Sequence, residues 1–354
     1  MKNIKLLEYF LPTSESIFEF KLKYIKKHHN TDVAPYLFRI FVRMRFLFVL
    51  LLILLPLIPS YGQRFRVATW NIENAFDTVR DESKDDLDFL PHAERRWHSG
   101  RYWRKLRGIT QTLAAMELPA LVGFQEVEND TVLRDLTRRT ALWSARYKYI
   151  ITDSPDSRGV DVALLYNPKV FSLLSWHAVR VPSVEQGLRP TRDILVASGT
   201  IGKDTLHTCV VHLPSRRNND KATRQNRALA VATLCNVLDS LNGKKVLIMG
   251  DFNAEPGDGI FTHLCKRLVT LMPTDRKTLN KKRGTYYFRG IWGYLDHILV
   301  SPELYQHALD KATECRFPWL LRTEKQIPHR TYGGTSYLGG LSDHLPLIVD
   351  FDIR

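Results

Sequence analysis

Val246-Leu-Ile-Met-Gly-Asp-Phe-Asn-Ala-Glu-Pro256 is the stretch on which the reading of this chain turns. Four consecutive apolar residues, Val246 to Met249, predict a short buried strand, and Gly250 reads as its break. Asp251 and Asn253 follow, a carboxylate and a carboxamide two positions apart. If the chain stays extended that far, both side chains leave the same face at the strand's exposed end. Such a pair on a rigid scaffold suits a metal- or water-holding site. A strand followed by an Asx-rich turn accounts for the same residues, because Asp, Asn and Gly are ordinary turn formers. The other strand ends of the chain decide between the two.

Phe65-Arg-Val-Ala-Thr-Trp70 alternates as a strand and delivers Asn71 at its end, followed by Ile72 and Glu73. Ala120-Leu-Val-Gly-Phe124 predicts a buried strand with Gln125-Glu126 after it. Further strand-like runs cover 147–152, 160–166, 169–175, 193–201 and 205–212, the last ending at His212. Helices are predicted at 101–116, from Asp130 onward, and at 221–241, where Ala228, Val231, Leu234, Val237, Leu238 and Leu241 share one face. Residues 77–100 read as a surface loop and 273–293 as a basic loop. Tyr294-Leu-Asp-His-Ile-Leu-Val300 and Leu345-Pro-Leu-Ile-Val-Asp-Phe351 close the chain as strands.

Asn71, Glu126, His212, Asp251 and Asn253 each follow a predicted strand, whereas Asp296 and the pair Asp343-His344 stand at, or just before, the start of one. Strands that arrive at an edge and strands that leave it meet only in a mixed sheet, so a purely parallel doubly wound or barrel sheet is excluded. Carboxylates and carboxamides with two imidazoles make a hard-oxygen donor set, which suits Mg²⁺, Mn²⁺ or Ca²⁺.

Trp70-Asn71-Ile-Glu-Asn, Gln125-Glu126, His212-Leu-Pro-Ser, Gly250-Asp-Phe-Asn253, Leu295-Asp-His297 and Ser342-Asp-His-Leu-Pro346 together resemble the endonuclease/exonuclease/phosphatase superfamily, in that family's order and across residues 65–351. The resemblance implies an α/β four-layer sandwich, two mixed and largely antiparallel sheets flanked by helices, the DNase I-like fold. It also implies roles. Glu126 matches the principal metal carboxylate, and Asn71 and Asp343 complete the protein's share of the metal shell. Asp251 and Asn253 match the pair that orients the attacking water and holds the phosphate. His344, polarised by Asp296, binds a phosphoryl oxygen or takes a proton, and His212 matches the second histidine near the leaving oxygen. Arg158 and Asp161, flanking Gly159, look like a further family element that is as plausibly structural as functional. Arg192, with Arg189 and Thr191, is a candidate phosphate contact, and so are Ser215 and Arg216; each could equally be a solvated loop residue.

Composition agrees with one large domain over residues 63–354, since 44% of the chain is hydrophobic and no repeat or linker interrupts it. The net charge is +14; residues 1–62 hold nine basic and four acidic residues, so an excess of nine remains on 63–354. That excess, with basic loops at 189–192, 216–227 and 276–289, suits an anionic partner. Nucleic acid is the expected substrate of a metal-dependent phosphoesterase of this kind. A phosphatase or phosphodiesterase for inositol phosphates or phospholipid head groups is the alternative, and a non-catalytic relative the third. No obligate protein partner is evident. Arg43 and Arg45, the apolar run 46–58 and Ser60-Tyr-Gly62 form a secretory signal pattern over 44–62. Met44 stands where such a signal would begin, so residues 1–43 read as the product of a start codon called too early, or as a basic cytoplasmic leader before a signal anchor. The expectation is export to the periplasm or beyond. Cys209, Cys235, Cys265 and Cys315 show no metal or redox spacing, and the choice between disulfides and buried thiols stays open.

Overall fold

Alternation of apolar side chains along the strands sorts them onto two faces, and both faces are covered. The computed structural model describes residues 36, 39–47, 62–215, 221–264, 266–273 and 283–353. Residues 39–47 are helical and belong to a unit, Met1–Tyr61, separate from Gly62–Arg354. Among the described residues no helix is long and apolar enough to cross a membrane. The signal pattern at 44–62 falls mostly, and the leader at 1–43 largely, outside the described residues, as do Arg216 and Cys265.

The first half of the larger unit supplies β1 (Gln63–Ala75), β2 (Leu121–Val127), β3 (Lys148–Ile151), β4 (Asp161–Tyr166), β5 (Ser172–Val179), β6 (Ile194–Ile201) and β7 (Asp204–His212). Then come β8 (Val246–Asp251), β9 (Val269–Thr270), β10 (Tyr286–Phe288), β11 (Ile291–Gly293), β12 (Asp296–Val300) and β13 (Thr313–Glu314). Short β14 to β17 (Leu321–Arg322, Ile327–Pro328, Tyr332–Gly333, Ser336–Tyr337) precede β18 (Leu347–Ile353). One six-stranded sheet has the order β13-β18-β1-β2-β4-β3, the other β5-β6-β7-β8-β12-β9. Each holds one parallel pair, β1 with β2 and β7 with β8, and its other pairs are antiparallel.

The mixed sheets predicted from the strand ends are therefore present, and they pack face to face. Val67, Leu121, Leu164, Val349 and Phe351 of one sheet share a core with Leu195, Leu247, Met249 and Ile298 of the other. The outer face of the first sheet (Trp70, Ile72, Val122, Phe124) lies against Leu106, Ile109 and Leu113 of the helix Ser99–Ala115 and Leu133 and Leu136 of the helix Asp130–Arg139. The outer face of the second (Val196, Val211, Ile248, Leu299) lies against Val231, Leu234 and Leu238 of the helix Lys221–Ser240. The layers run helix, sheet, sheet, helix, the DNase I-like α/β sandwich.

Several local expectations are corrected. Gly250 does not break its strand: β8 runs through it to Asp251. Its φ is +148°, and a Cβ there would come 1.9 Å from the Val211 carbonyl oxygen. The glycine is needed because two backbones meet side by side, and not because the strand stops. Asn71 likewise lies inside β1, which continues through a kink at Glu73 and Asn74, φ +46° and +50°. Asp251 and Asn253 do not share an extended face; Asn253 sits at φ +49° and donates its backbone N–H to Asp251 Oδ1 at 2.7 Å. The Asx turn is thus real and part of the site. On the helix Lys221–Ser240, Ala228 is exposed while Asn226 and Arg227 are buried. They point at loop carbonyls, Asn226 Nδ2 to Arg189 O at 2.7 Å and Arg227 Nη1 to Pro214 O at 2.6 Å, which need donors once covered. Residues 77–98 are a loop with one 3-10 turn, Leu87–Phe89, that buries Phe89, Trp97 and Asp86, and the predicted basic loop contains the hairpin β10–β11. Cys209 and Cys315 are buried free thiols and Cys235 a half-buried one; burial pushes Cys209 and Cys315 up to about 12.

The constraint at Gly250 gives the first prediction. Gly250→Ala should lower stability in urea unfolding by about 3 kcal/mol or more, or leave no soluble protein. A parent-like midpoint would contradict the close approach of β8 to Val211.

Candidate active site

The two parallel pairs send the C-terminal ends of β1, β2, β7 and β8 to one edge of the sandwich, and antiparallel β12 and β18 begin there. In register, Asp296 stands opposite Asp251 and Leu347 opposite Thr69. The sheets are tied across this edge by Asn71 of β1, whose Nδ2 donates to Asp251 Oδ2 of β8 at 3.1 Å. Trp70 Nε1 donates to the His344 carbonyl at 3.0 Å and Ser342 Oγ to the Asn71 carbonyl at 2.6 Å, so the segment before β18 is fixed to β1 as well.

Asp251 is the centre of the group and is buried. Its Oδ2 lies 3.5 Å from His212 Nε2 and 3.8 Å from His344 Nε2, contacts without a direct hydrogen bond. His344 Nδ1 and Asp296 Oδ2 are 2.8 Å apart, the carboxylate–imidazole pair expected from sequence. Burial raises the Asp251 carboxyl above the usual carboxylate range; His344 opposes that shift and Asp296 adds to it. Burial works against charge on His344, but Asp296, Asp251 and Asp343 outweigh it and raise it well above the ordinary value. His212 goes the other way: burial, Arg192, Arg158 and His344 all hold it well below 6.5. The two imidazoles are thus pushed in opposite directions across a shared carboxylate, a division suited to acid–base work. Asp251, Asp296 and His344 offer ligand atoms within 4.8 Å of one another, a potential acidic and histidine metal site.

A second wall carries the remaining sequence-predicted ligands. Glu126, at φ +63° in β2, accepts the Asn74 N–H on Oε2 at 2.9 Å. Asp343 is paired with Arg330. Glu73 adds a buried carboxylate that accepts the Thr331 N–H at 2.7 Å. Burial raises Glu73 and Asp343 raises it further, while Lys105 and Arg330 oppose the shift. Crowded oxygen donors short of positive charge are what a hard divalent cation satisfies, so these residues fit one.

The tentative phosphate contacts divide. Arg192 is buried and its N–H groups go to the His212 and Leu213 carbonyls, at 3.2 and 3.0 Å, and to Asp156 at 2.9 Å. It braces the end of β7 from beneath, a correction to its reading as a phosphate ligand. Arg158 is half-exposed, 3.4 Å from Asp156. Ser215 is exposed on the loop after β7. Asp161 is consumed by Thr152 and Ser154 of its own loop. Arg283 of the basic loop is committed to Glu314 at 2.6 Å.

Sequence reasoning missed Lys105, Arg330 and Tyr286. Tyr286 lies with its ring centroid 4.8 Å from that of His344 and bridges to it. The only signal was proximity to a recognised motif, Tyr286 preceding Leu295-Asp-His297 by a hairpin. His297 itself is not in the site; its buried Nε2 faces the Ala254 and Tyr294 carbonyls at 2.7 and 3.1 Å.

This fold and this edge define a hydrolase of the DNase I-like class. The chain belongs to the Endonuclease/Exonuclease/phosphatase family, whose model matches residues 66–352. Among solved structures, an endonuclease/exonuclease/phosphatase from Bacteroides vulgatus is similar at a TM-score of 0.54 and 16% identity, covering 82% of this chain and 100% of that one. D. rerio TDP2 complexed with single strand DNA product gives 0.52 at 16% identity, covering 82% and 99%. The human Nocturnin catalytic domain with bound sulfate anion gives 0.51 at 18% identity, covering 82% and 95%. At these identities the likeness is one of fold. No curated protein matches the chain by sequence.

Two predictions follow from this geometry. His344→Ala and Asp296→Ala should each severely reduce turnover, and the double variant should be little worse than the more severe single; multiplicative losses would contradict a working pair. The other concerns acid. Burial lowers His297 to about 4 from an ordinary 6.5. Between those values the unfolded chain binds the extra proton, so stability drops as pH falls from 6.5 towards 4. The shift corresponds to about 3 kcal/mol. His297→Asn should lose less stability than the parent across that window, and parallel pH–stability curves would contradict it.

Proposed function

We propose that this protein is an exported, divalent-metal-dependent phosphodiesterase that hydrolyses nucleic acid by in-line attack of water. Glu126, Asp343 and Asn71 would hold the ion, with Mg²⁺ the first choice and Mn²⁺ or Ca²⁺ the alternatives. What a bound ion supplies is Lewis-acid polarisation of a phosphoryl oxygen. The rest falls to the chain. Asp251, raised by burial and held by Asn71 and the Asn253 amide, orients the water and receives its proton. His344, charged beside Asp296, and Asn253 hold the phosphoryl oxygens, and His212 stands by the leaving oxygen.

The observation that favours nucleic acid is a cleft of about 190 Å³ against Asp343, lined by Tyr287, Phe288, Arg289, Arg322 and Arg330 among others. Phe288 is half exposed, with Arg289 over its ring at 5.1 Å. An aromatic face for a base beside guanidinium groups for backbone phosphate is the chemistry of single-strand binding. TDP2, of similar fold, is complexed with a single strand DNA product, which supports the same reading. Export rests on the signal pattern at 44–62.

Glu126→Gln should nearly abolish turnover in folded protein, and a variant as active as the parent would contradict the ligand assignment. For an oligonucleotide, KM should rise steeply with salt, by a log–log slope of about 0.7 to 0.9 per phosphate contact. Arg322→Glu should flatten that slope, and Phe288→Ala should raise KM for the oligonucleotide without slowing a baseless aryl phosphodiester. A flat salt response, with faster turnover of an inositol phosphate or lipid head group, would favour the alternative substrate.

A further inference from the structure

Lys105 lies in the helix Ser99–Ala115 and is only 2% exposed. Burying an ammonium group costs several kcal/mol unless its donors and charge are met, so a lysine in this position needs a reason. All three of its N–H donors have acceptors: the Glu73 carbonyl at 2.6 Å, Thr331 Oγ1 at 2.7 Å and the Leu341 carbonyl at 2.8 Å. None of those acceptors is a carboxylate. The negative charges that act on the ammonium, Glu73, Asp343 and Glu126, stand beyond them.

The three acceptors belong to three separate segments: two carry a member of the proposed metal site, Asn71 and Asp343, and the third carries Arg330, the cation paired with Asp343. The Glu73 carbonyl lies in the kink after Asn71; the Glu73 N–H donates to Asn71 Oδ1 at 3.0 Å, and the next amide, Asn74, donates to Glu126 Oε2. Leu341 stands two residues before Asp343 and next to Ser342, which binds both the Asn71 carbonyl and the His344 amide. Thr331 follows Arg330, the partner of Asp343. Gly108, one turn along the helix, permits the approach, since a Cβ there would lie 2.4 Å from a Leu341 methyl carbon.

We infer that Lys105 is a positioning residue that clamps the β1 kink, the Thr331 segment and the Leu341–Asp343 segment into one divalent-cation site. The inference rests on the metal reading above. It has a sign that electrostatics alone would not give. Removing a positive charge beside three carboxylates should tighten cation binding, whereas releasing the clamp should weaken it by misplacing the ligands.

The test is isothermal titration of chelator-stripped protein with Mn²⁺, on variants first shown to be folded by circular dichroism. Lys105→Met should bind Mn²⁺ about tenfold more weakly or worse, and Thr331→Val, which keeps the charge and removes one anchor, should weaken it in the same direction. If Lys105→Met binds as tightly as the parent or more so, the clamp is wrong and the metal site stands. Should Lys105→Met not fold, Thr331→Val decides, and parent-like affinity in it overturns the inference. A parent protein that binds no Mn²⁺ would overturn the metal reading and the clamp together.

Discussion

A carboxylate removed from water and flanked by two imidazoles is the constraint around which this molecule is arranged. Asp251 is buried at the end of β8 and is hydrogen-bonded by Asn71 across the inter-sheet gap and by the Asn253 amide. An unpaired charge there would be expensive, so β1, β7, β8, β12 and the segment before β18 must converge for the group to be tolerated. The Asn71 to Asp251 bond makes the packing of the two sheets and the assembly of the site the same event. It also explains why Gly250 is required: β8 must pass close against β7 to bring Asp251 beside His212.

Behind that centre stands a wall with different physics. Glu73 and Asp343 repel one another, and the fold meets them and Glu126 with Lys105 from a helix and Arg330 from a loop. Arg192 performs the comparable task under β7, tying His212 and Leu213 to Asp156. The reactive edge is thus organised from beneath by buried cations whose donors go mainly to backbone carbonyls. The exposed cations, Arg289 and Arg322 among them, line the adjoining cleft. Arg330 belongs to both sets, lining that cleft while paired with Asp343.

How much of this was legible varied with the residue. Asn71, Glu126, His212, Asp251, Asp296 and His344 were readable because polar residues at the ends of apolar runs are conspicuous, and because arriving and departing strands forced mixed sheets. Gly250 was misread because a glycine after an apolar run looks the same whether it ends a strand or lets two strands touch. Lys105 was invisible: a lysine at a helical position normally projects into solvent, and nothing local reveals that three distant segments supply its acceptors. Arg192 and Arg283 looked like solvent-facing loop charges, while their partners Asp156 and Glu314 are distant in sequence. The hairpin β10–β11 escaped because its aromatic residues stood among lysines and glycines without a clear period of two.

In the reaction we propose, water oriented at Asp251 and dependent on a divalent ion attacks a nucleic acid phosphodiester. Cleavage of a single-stranded oligonucleotide in ¹⁸O-labelled water, read by mass spectrometry of the terminal phosphate, tests it directly. One solvent oxygen is expected in that phosphate when Mg²⁺ is present, and no cleavage with a chelator or in Asp251→Asn. Cleavage that persists in the chelator, or a product phosphate without solvent oxygen, would contradict it.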